Sequence, residues 1–282
     1  MSTTTSVRPP SGEAAPAKRP QYRVTGRRVV RSEWSKLWSL RSTWITVALA
    51  LLFLVAFGII AAARYKSSVT SGRQLDPDFA DATALSLSLF GVPIAQLALG
   101  VLGVLVTAGE YSTGTIRSTL AAVPRRLPVL WSKALVFGSV ALVLSVVGVV
   151  VTFLIGSNIV SGTPAALTFS SGGVLRSLLG AAFYLGLVGV IGAALGVLLR
   201  SVAGGISVLI AALMLIPGLI SLLPKSWHQA VQPYLPSVAG QSMFDLHHLP
   251  HTLTPAVGLL VFVAWTVVAL AGAAWRLASK DA

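Results

Sequence analysis

Three histidines are the first residues in this sequence that could hold a metal ion. His247, His248 and His251 form an H-H-x-x-H run that begins two residues after Asp245. Imidazoles and a carboxylate are ligands that zinc and copper accept. Pro250 interrupts regular helical spacing within the run. The sequence leaves two interpretations open: a metal site on these histidines, or a loop in which they have only a structural or solvated role.

A second polar run, G-E-Y-S-T-G-T-I-R, extends from Gly109 to Arg117. Glu110 is the only acidic residue in this interval between two apolar stretches. We expect its carboxylate to pair with Arg117 or with an arginine nearer the N-terminus, and so to hold two segments together. A solvated carboxylate at a helix end is the alternative.

The same interval predicts a short amphipathic helix. Thr113 or Thr115 is suited to cap its start. An apolar face follows at helical spacing, and a proline with two arginines closes the segment; these residues are Ile116, Leu120, Val123, Pro124, Arg125 and Arg126. A short helix with a cationic end is expected to lie at the membrane surface.

Several kinds of chemistry are not supported by the sequence. There is no cysteine, and no G-x-x-x-x-G-K-[ST] run for binding ATP. The long apolar stretches contain no Asp, Glu, Lys, Arg or His, and Gln96 is their most polar side chain at expected mid-depth. Proton-coupled transport, an intramembrane protease and a metalloenzyme are all disfavoured, because each needs such groups. We expect no enzyme activity in the chain itself.

Composition indicates that these residues belong to a membrane protein. Of 282 residues, 55% are hydrophobic and 10% are charged, whereas soluble domains carry about 25% charged residues. The mean hydropathy is +0.82. The net charge of +13 is distributed over separate loops, which is typical of membrane topology and not of a nucleic-acid-binding surface.

Six apolar stretches are long enough to cross about 30 Å of hydrocarbon as helices. We therefore predict an all-α integral membrane fold with spans near residues 44–63, 84–107, 134–155, 178–199, 202–223 and 255–275. Pro93 and Pro217 are expected to bend their spans and act as hinges. Gly192 and Gly196 form a G-x-x-x-G pair that serves either helix contacts within one chain or a dimer seam.

The distribution of basic residues predicts the orientation. Sixteen of the 21 Lys and Arg residues fall in the N-terminal segment, the second loop, the turn between spans four and five, and the C-terminal tail. The positive-inside rule then places both termini in the cytoplasm.

The segment before the first span divides into two parts. Residues 1–21 are rich in proline and small polar residues, which is typical of a disordered tail. Residues 22–43 predict an amphipathic interfacial helix, with Val30, Trp34, Leu37 and Trp38 on one stripe and Lys36 beside it. Its expected roles, anchoring to lipid headgroups and pressing on a cytoplasmic partner, are compatible.

The polar run after span two resembles the ABC-2 type transporter permease family. Members show an E-[aromatic]-x-x-G-T-x-[R/K] run at this place, which Glu110, Tyr111, Gly114, Thr115 and Arg117 match. The segment E-W-S-K-L-W-S-L-R-S-T at residues 33–43 looks like the entry helix common in actinobacterial members. The six-span plan extends the resemblance over nearly the whole chain except residues 1–20.

This resemblance implies a role in transport. Residues 44–282 would form a permease domain of the plasma membrane, driven by a separate subunit that binds ATP and magnesium. A coupling helix at about Thr113–Val123 would sit in a groove of that subunit, and a second permease, identical or different, would complete the complex. Loop 224–254 would supply a partly re-entrant segment. No nucleic acid is expected as a partner.

An exporter is the function that this resemblance implies. The alternatives are a non-transport membrane scaffold or assembly protein, and an independent carrier or channel. Amphiphiles such as lipids, peptides or drug-like molecules are suggested as cargo by analogy alone.

Overall fold

The computed structural model describes residues 25–39, 41–122, 126–246 and 251–279. In these ranges the chain forms helices and no strand. The α-helices are α1 (Gly26–Ser39), α2 (Arg41–Thr70), α3 (Ala84–Ser88), α4 (Val92–Ser112), α5 (Thr115–Ala122), α6 (Leu127–Ile159), α7 (Val174–Leu199), α8 (Val202–Ile210), α9 (Ile216–Ile220), α10 (Lys225–Val231), α11 (Pro236–Ser242) and α12 (Pro255–Ser279).

Six helical stretches within the described ranges are long and apolar enough to span a membrane, which confirms the predicted all-α, six-span class. They are Arg41–Thr70, Ala84–Ser112, Leu127–Ile159, Val174–Leu199, Val202–Ile220 and Pro255–Ser279. Most helices extend beyond the apolar stretches read from the sequence. The largest difference is at α6, which begins at Leu127 and so includes Lys133. The end of the bundle near α1 and the last turn of α12 is called the basic end below.

Helix α7 lies at the centre of the bundle. In its most apolar window 72% of residues are buried, against 17% for the span Val202–Ile220. It packs mainly on α4, α6 and α12. A Cβ atom added at Gly103 of α4 would lie 2.2 Å from the carbonyl oxygen of Gly189 on α7. Because no side chain separates the two backbones there, α4 and α7 are in close contact.

The G-x-x-x-G pair of α7 takes part in the same contact. A Cβ atom at Gly192 would lie 2.1 Å from the carbonyl oxygen of Gly100, and one at Gly196 would lie 2.0 Å from Oγ1 of Thr107. Both neighbours belong to α4 of the same chain. Of the two functions considered for this pair, the structure shows the contact within one chain.

Both predicted hinge prolines lie where a span departs from regular α-helix. Pro93 follows a 3-10 turn at Leu89–Gly91 and occupies the first turn of α4. Pro217 follows a π-helical segment at Ala211–Leu215 and occupies the first turn of α9. Proline cannot donate a main-chain hydrogen bond, so both irregularities are expected next to these residues. Whether these sites act as hinges stays a prediction.

Helix α1 presents two different faces. Val29, Glu33 and Leu37 are buried at four-residue spacing. Trp34 and Trp38 are 45% and 58% exposed, and their rings stack with centroids 5.7 Å apart. The predicted stripe therefore divides, with Leu37 facing the protein and the two tryptophans facing outward.

Of the two short helices between α9 and α12, α11 packs against the core, whereas α10 has no buried residue. Helix α11 contacts the ring of Tyr184, and a Cβ atom at Gly240 would lie 2.1 Å from that ring. Tyr184 lies ten residues into α7, which corresponds to about 15 Å of helix length. The hydroxyl of Tyr184 in turn donates a hydrogen bond to Gln96 of α4.

Candidate functional site

Four charged side chains from three helices form one hydrogen-bonded cluster at the basic end. We call Glu33, Lys36, Glu110 and Lys133 the ion network. Lys133 Nζ donates to Glu33 Oε2 at 2.7 Å and to Glu110 Oε1 at 2.8 Å. Lys36 Nζ donates to Glu33 Oε1 at 3.0 Å and to Glu110 Oε1 at 3.3 Å. Acidic and basic groups alternate, and their formal charges cancel.

Three helix ends bring these residues together. Glu33 and Lys36 are one turn apart on α1, and they face the same side because helical residues three apart are neighbours. Glu110 lies in the last turn of α4, and Lys133 lies two turns into α6. The network therefore joins the entry helix to the ends of the second and third spans.

Most of the ion network is removed from solvent. The side chains of Glu33 and Lys133 are 4% and 5% exposed, Glu110 is 15% exposed and Lys36 is 39% exposed. Burial disfavours the Glu33 carboxylate, but Lys133 and Lys36 outweigh burial and hold its pKa below the usual range. Burial likewise opposes the charge on Lys36, and Glu33 and Glu110 raise its pKa. A buried charge is tolerated only when it is paired in this way.

Helix α5 is attached to the ion network through Lys36. Lys36 Nζ also donates to Thr119 Oγ1 on α5 at 3.2 Å. Gly114 joins α4 to α5 with φ of +73°, a conformation that glycine adopts without steric cost. Ile116 is buried. One lysine therefore contacts α1, α4 and α5 at once.

A second set of contacts closes the other side of the basic end. The guanidinium of Arg200, in the turn between α7 and α8, lies 5.4 Å from the ring centroid of Tyr111. Arg200 also donates to the carbonyl oxygen of Arg276 at 3.5 Å. Arg126 donates to the carbonyl oxygen of Leu277 at 3.3 Å. Both arginines thus reach the C-terminal turn of α12, where cations are favoured by the helix dipole.

The structure shows two partners of Glu110 that the prediction did not name. Its partners are two lysines, Lys36 and Lys133, whereas the prediction named an arginine of the entry helix or Arg117. The side chain of Arg117 and all of Arg125 lie outside the described residues. Pairing of Glu110 with an arginine therefore stays a prediction.

The remaining predicted residues fall into two groups. Tyr111, Gly114, Thr115, Ile116 and Arg126 lie together at the basic end, as the contacts above show. Among the histidines, His251 is exposed with φ of +64°. His247 and His248 are outside the described residues, in which no cluster of metal-ligating side chains occurs. The metal site stays a prediction.

The sequence did not predict the ion network, and neither Glu33 nor Lys133 was among the predicted site residues. Glu33 is the only acidic residue in the basic entry segment after residue 13, and Lys133 directly precedes a long apolar run. The available signals were a single acidic residue in an otherwise basic segment and a lysine at the edge of a span. Nothing in their spacing shows that they meet.

A cavity of about 740 Å³ borders the ion network. It lies between α1, α2, α4, α5 and α6, with Lys36 and Glu110 on one wall and Leu102 and Phe137 deeper inside. We call it the basic-end cavity. Its volume falls within the range of about 300–1,000 Å³ that is typical of small-molecule sites.

Comparison with protein-family models finds no match for this chain, and comparison with curated proteins finds none. The resemblance to ABC-2 permeases therefore depends on the residues of the local motif and on the six-span plan.

Proposed function

We propose that this chain is the membrane-spanning permease subunit of an ABC exporter, driven by a separate ATP-binding subunit. The observation that carries the proposal is the ion network, which connects the entry helix, the short helix after span two, and spans two and three. A permease without its own ATP site needs a connection of this kind to receive a displacement from a partner. In this proposal both termini are cytoplasmic and the membrane is the plasma membrane.

The proposed path of the displacement begins at α5. This helix lies outside the bundle at the basic end, and Thr115 and Ser118 on it are exposed. A partner that pushes α5 moves Thr119 and hence Lys36, which is bonded to two carboxylates. The hydrogen bonds to charged groups are strong and directional, so α1 and the end of α4 move with it.

Helix α4 then carries the displacement to the centre of the bundle. Its glycines contact the backbone of α7 without an intervening side chain. The oxygen Thr107 Oγ1 also donates to the carbonyl oxygen of Ala193 on α7 at 2.9 Å. Close-packed helices do not deform continuously, so a shift of α4 is transmitted to α7.

The distribution of basic residues supports the cytoplasmic placement of the basic end, and a tryptophan cluster supports its position at a membrane interface. Sixteen of 21 basic residues belong to that side, as the positive-inside rule requires. Trp34, Trp38 and Trp44 form an aromatic cluster next to the start of α2, with Trp38 and Trp44 centroids 4.6 Å apart. Tryptophans are enriched at the level of lipid headgroups.

The partners in this proposal follow from what the chain lacks and from the family plan. ATP and magnesium are bound by a separate ABC ATPase, because the sequence contains no P-loop. A second permease, identical or different, completes a complex of two permeases and two ATPases. Export is the direction implied by the family that the local motif resembles.

The test begins with affinity purification of the tagged chain from its native membranes, followed by identification of any copurifying P-loop ATPase. The complex is then reconstituted, and ATP hydrolysis is measured with and without the permease. We expect the permease to stimulate hydrolysis. An absent ATPase, or a hydrolysis rate that the permease does not change, would reject the proposal in favour of a scaffold or an independent carrier.

A pair of variants tests the ion network within the same complex. Glu110→Gln/Lys36→Gln removes one acid and one base, so that the Glu33–Lys133 pair stays balanced and the fold is preserved. We expect this variant to assemble but to lose most of the stimulated hydrolysis, because the Lys36 bond to α5 is gone. Asp81→Asn, on an exposed residue distant in sequence from the network, is the matched control and should behave as wild type.

A further inference from the structure

The basic-end cavity has a polar wall and an apolar wall. Hydroxyl groups of α1, α2 and α5 form the polar wall, with Ser39, Ser42, Thr46 and Ser118 among them. Leu102, Leu105, Val136 and Phe137 form the apolar wall. Along α4 these apolar side chains extend from about 6 Å from Gly109, at Leu105, to about 10 Å, at Leu102. An amphiphile with one polar end matches this division.

The charges that border the cavity are already occupied by one another. The three ammonium hydrogens of Lys36 are matched by three acceptors, on Glu33, Glu110 and Thr119. Both oxygens of Glu33 accept from a lysine. The second oxygen of Glu110, Oε2, is buried and has no hydrogen-bond partner among the described residues. The two acids and two bases nevertheless balance, so the described lining residues carry no net formal charge for a ligand.

The hydroxyl groups, in contrast, have capacity for further hydrogen bonds. Ser39, Thr46 and Ser118 each donate to a carbonyl oxygen of their own helix, and their oxygens retain lone pairs. Ser42 contributes an exposed hydroxyl at the rim. Hydroxyl groups both donate and accept, so they suit a ligand whose polar end is itself hydroxylated. A phosphate or carboxylate would instead need a free cation or several strong donors.

We infer that the basic-end cavity binds an amphiphile with an uncharged, hydroxyl-bearing head and a single apolar tail. The head contacts the serines and threonines at the rim, and the tail lies against Leu102 and Phe137. Binding is a property of this chain alone, so the inference is independent of the proposed transport function.

The test compares head groups on one tail. The chain is extracted directly into lipid nanodiscs by a polymer, which avoids detergents that carry sugar heads. Displacement of a fluorescent alkyl glucoside is measured below the micellar range with an alkyl glucoside, an alkyl phosphate and an alkyl amine of equal chain length. We expect the glucoside to bind about tenfold more tightly than either charged analogue, because two or more hydrogen bonds are lost with them.

Matched variants locate the site. Leu105 is 41% exposed and lines the cavity, so Leu105→Trp fills the cavity from its edge and should abolish displacement. Leu49 is 44% exposed on α2 and does not line the cavity, so Leu49→Trp is the control and should bind as wild type. Thermal unfolding of each variant establishes that it is folded.

Removal of hydroxyls supplies a second, milder perturbation. Ser42→Ala/Thr46→Val leaves the tail wall intact and should weaken glucoside binding about tenfold, while affinity for the alkyl amine is unchanged. Equal affinity for all three head groups, tighter binding of the phosphate or amine, or full binding by Leu105→Trp would each overturn the inference.

Discussion

Replacement of Lys133 by methionine should destabilise the protein more than its position at a helix end would indicate. Methionine has a similar length and fits the apolar surroundings of α6, so the change removes charge with little loss of volume. Lys133 bonds to Glu33 at 2.7 Å and Glu110 at 2.8 Å. After the replacement two carboxylates share the single ammonium of Lys36, which is 39% exposed.

Two estimates of the cost agree. Removing one partner of a buried ion pair typically costs about 3–5 kcal/mol. Alternatively, Glu33 can take up a proton, and neutralising at pH 7 a carboxyl whose ordinary pKa is 4.5 costs about 3 kcal/mol at 1.36 kcal/mol per pH unit. We therefore expect Lys133→Met to lower the free energy of unfolding by about 3 kcal/mol.

A double variant separates the lost pairing from the lost lysine. Glu33→Met/Lys133→Met removes a balanced pair and leaves Glu110 with Lys36. Since apolar replacement of a whole buried pair is often neutral or stabilising, its stability should return to within about 1 kcal/mol of wild type. The exposed Lys225 supplies the control, because Lys225→Met should change stability by less than about 0.5 kcal/mol.

The measurement is reversible unfolding in mixed micelles, followed by tryptophan fluorescence for all four proteins under one condition. The reasoning is refuted if Lys133→Met is as stable as Lys225→Met, which would mean that water or lipid solvates Glu33 freely. It is also refuted if the double variant is less stable than Lys133→Met.

Three further predictions concern the backbone contacts and the titration of the ion network. Gly103→Ala places a methyl group 2.2 Å from a carbonyl oxygen of α7 and should lower the free energy of unfolding by about 1–3 kcal/mol in the same assay. Gly109→Ala on the same helix meets no atom within 4 Å and should be neutral or stabilising. Equal effects of the two variants would contradict the close contact between α4 and α7. Gly114→Ala should cost about 1–2 kcal/mol because of its φ of +73°, and Gly114→Asn should cost less; no difference between alanine and asparagine would show that the left-handed conformation is not required. The thermal unfolding midpoint should be level between about pH 5 and 10 and fall on both sides. The lowered pKa of Glu33 gives stability that is lost below its ordinary pKa of 4.5, and the raised pKa of Lys36 gives stability that is lost above its ordinary pKa of 10.5. If a Glu33→Gln variant retained the full loss of stability in acid, Glu33 would not be its cause.

The spans were predictable because their signal is local. Each is a run of apolar residues long enough to cross the hydrocarbon, and backbone hydrogen bonding in lipid leaves a helix as the natural conformation. Helix ends were less predictable. The first two turns of α6 carry Lys133, and a charged residue there reads as the edge of a span until its partners are known.

The ion network was not predictable for a different reason. Its members are separated by up to 100 residues, as for Glu33 and Lys133, and their meeting depends on how α1, α4 and α6 pack. The sequence does show Glu110 as a conspicuous acid and the G-T pair after it. It does not show which basic residue lies opposite: the prediction named the more numerous arginines, whereas the structure shows two lysines beside Glu110.

An alternating set of charges at this joint has a property that apolar packing lacks. Apolar side chains on helix surfaces can exchange neighbours at small cost, so helices held by them alone can slide. Each lysine of the ion network contacts two carboxylates, and any slide leaves a buried charge unpaired at a cost of several kcal/mol. The network therefore fixes α1, α4 and α6 in one relative position even if it adds little net stability. In the proposed exporter, that is the property needed where a displacement enters the membrane domain, because a joint that slides would absorb the displacement before it reached α7.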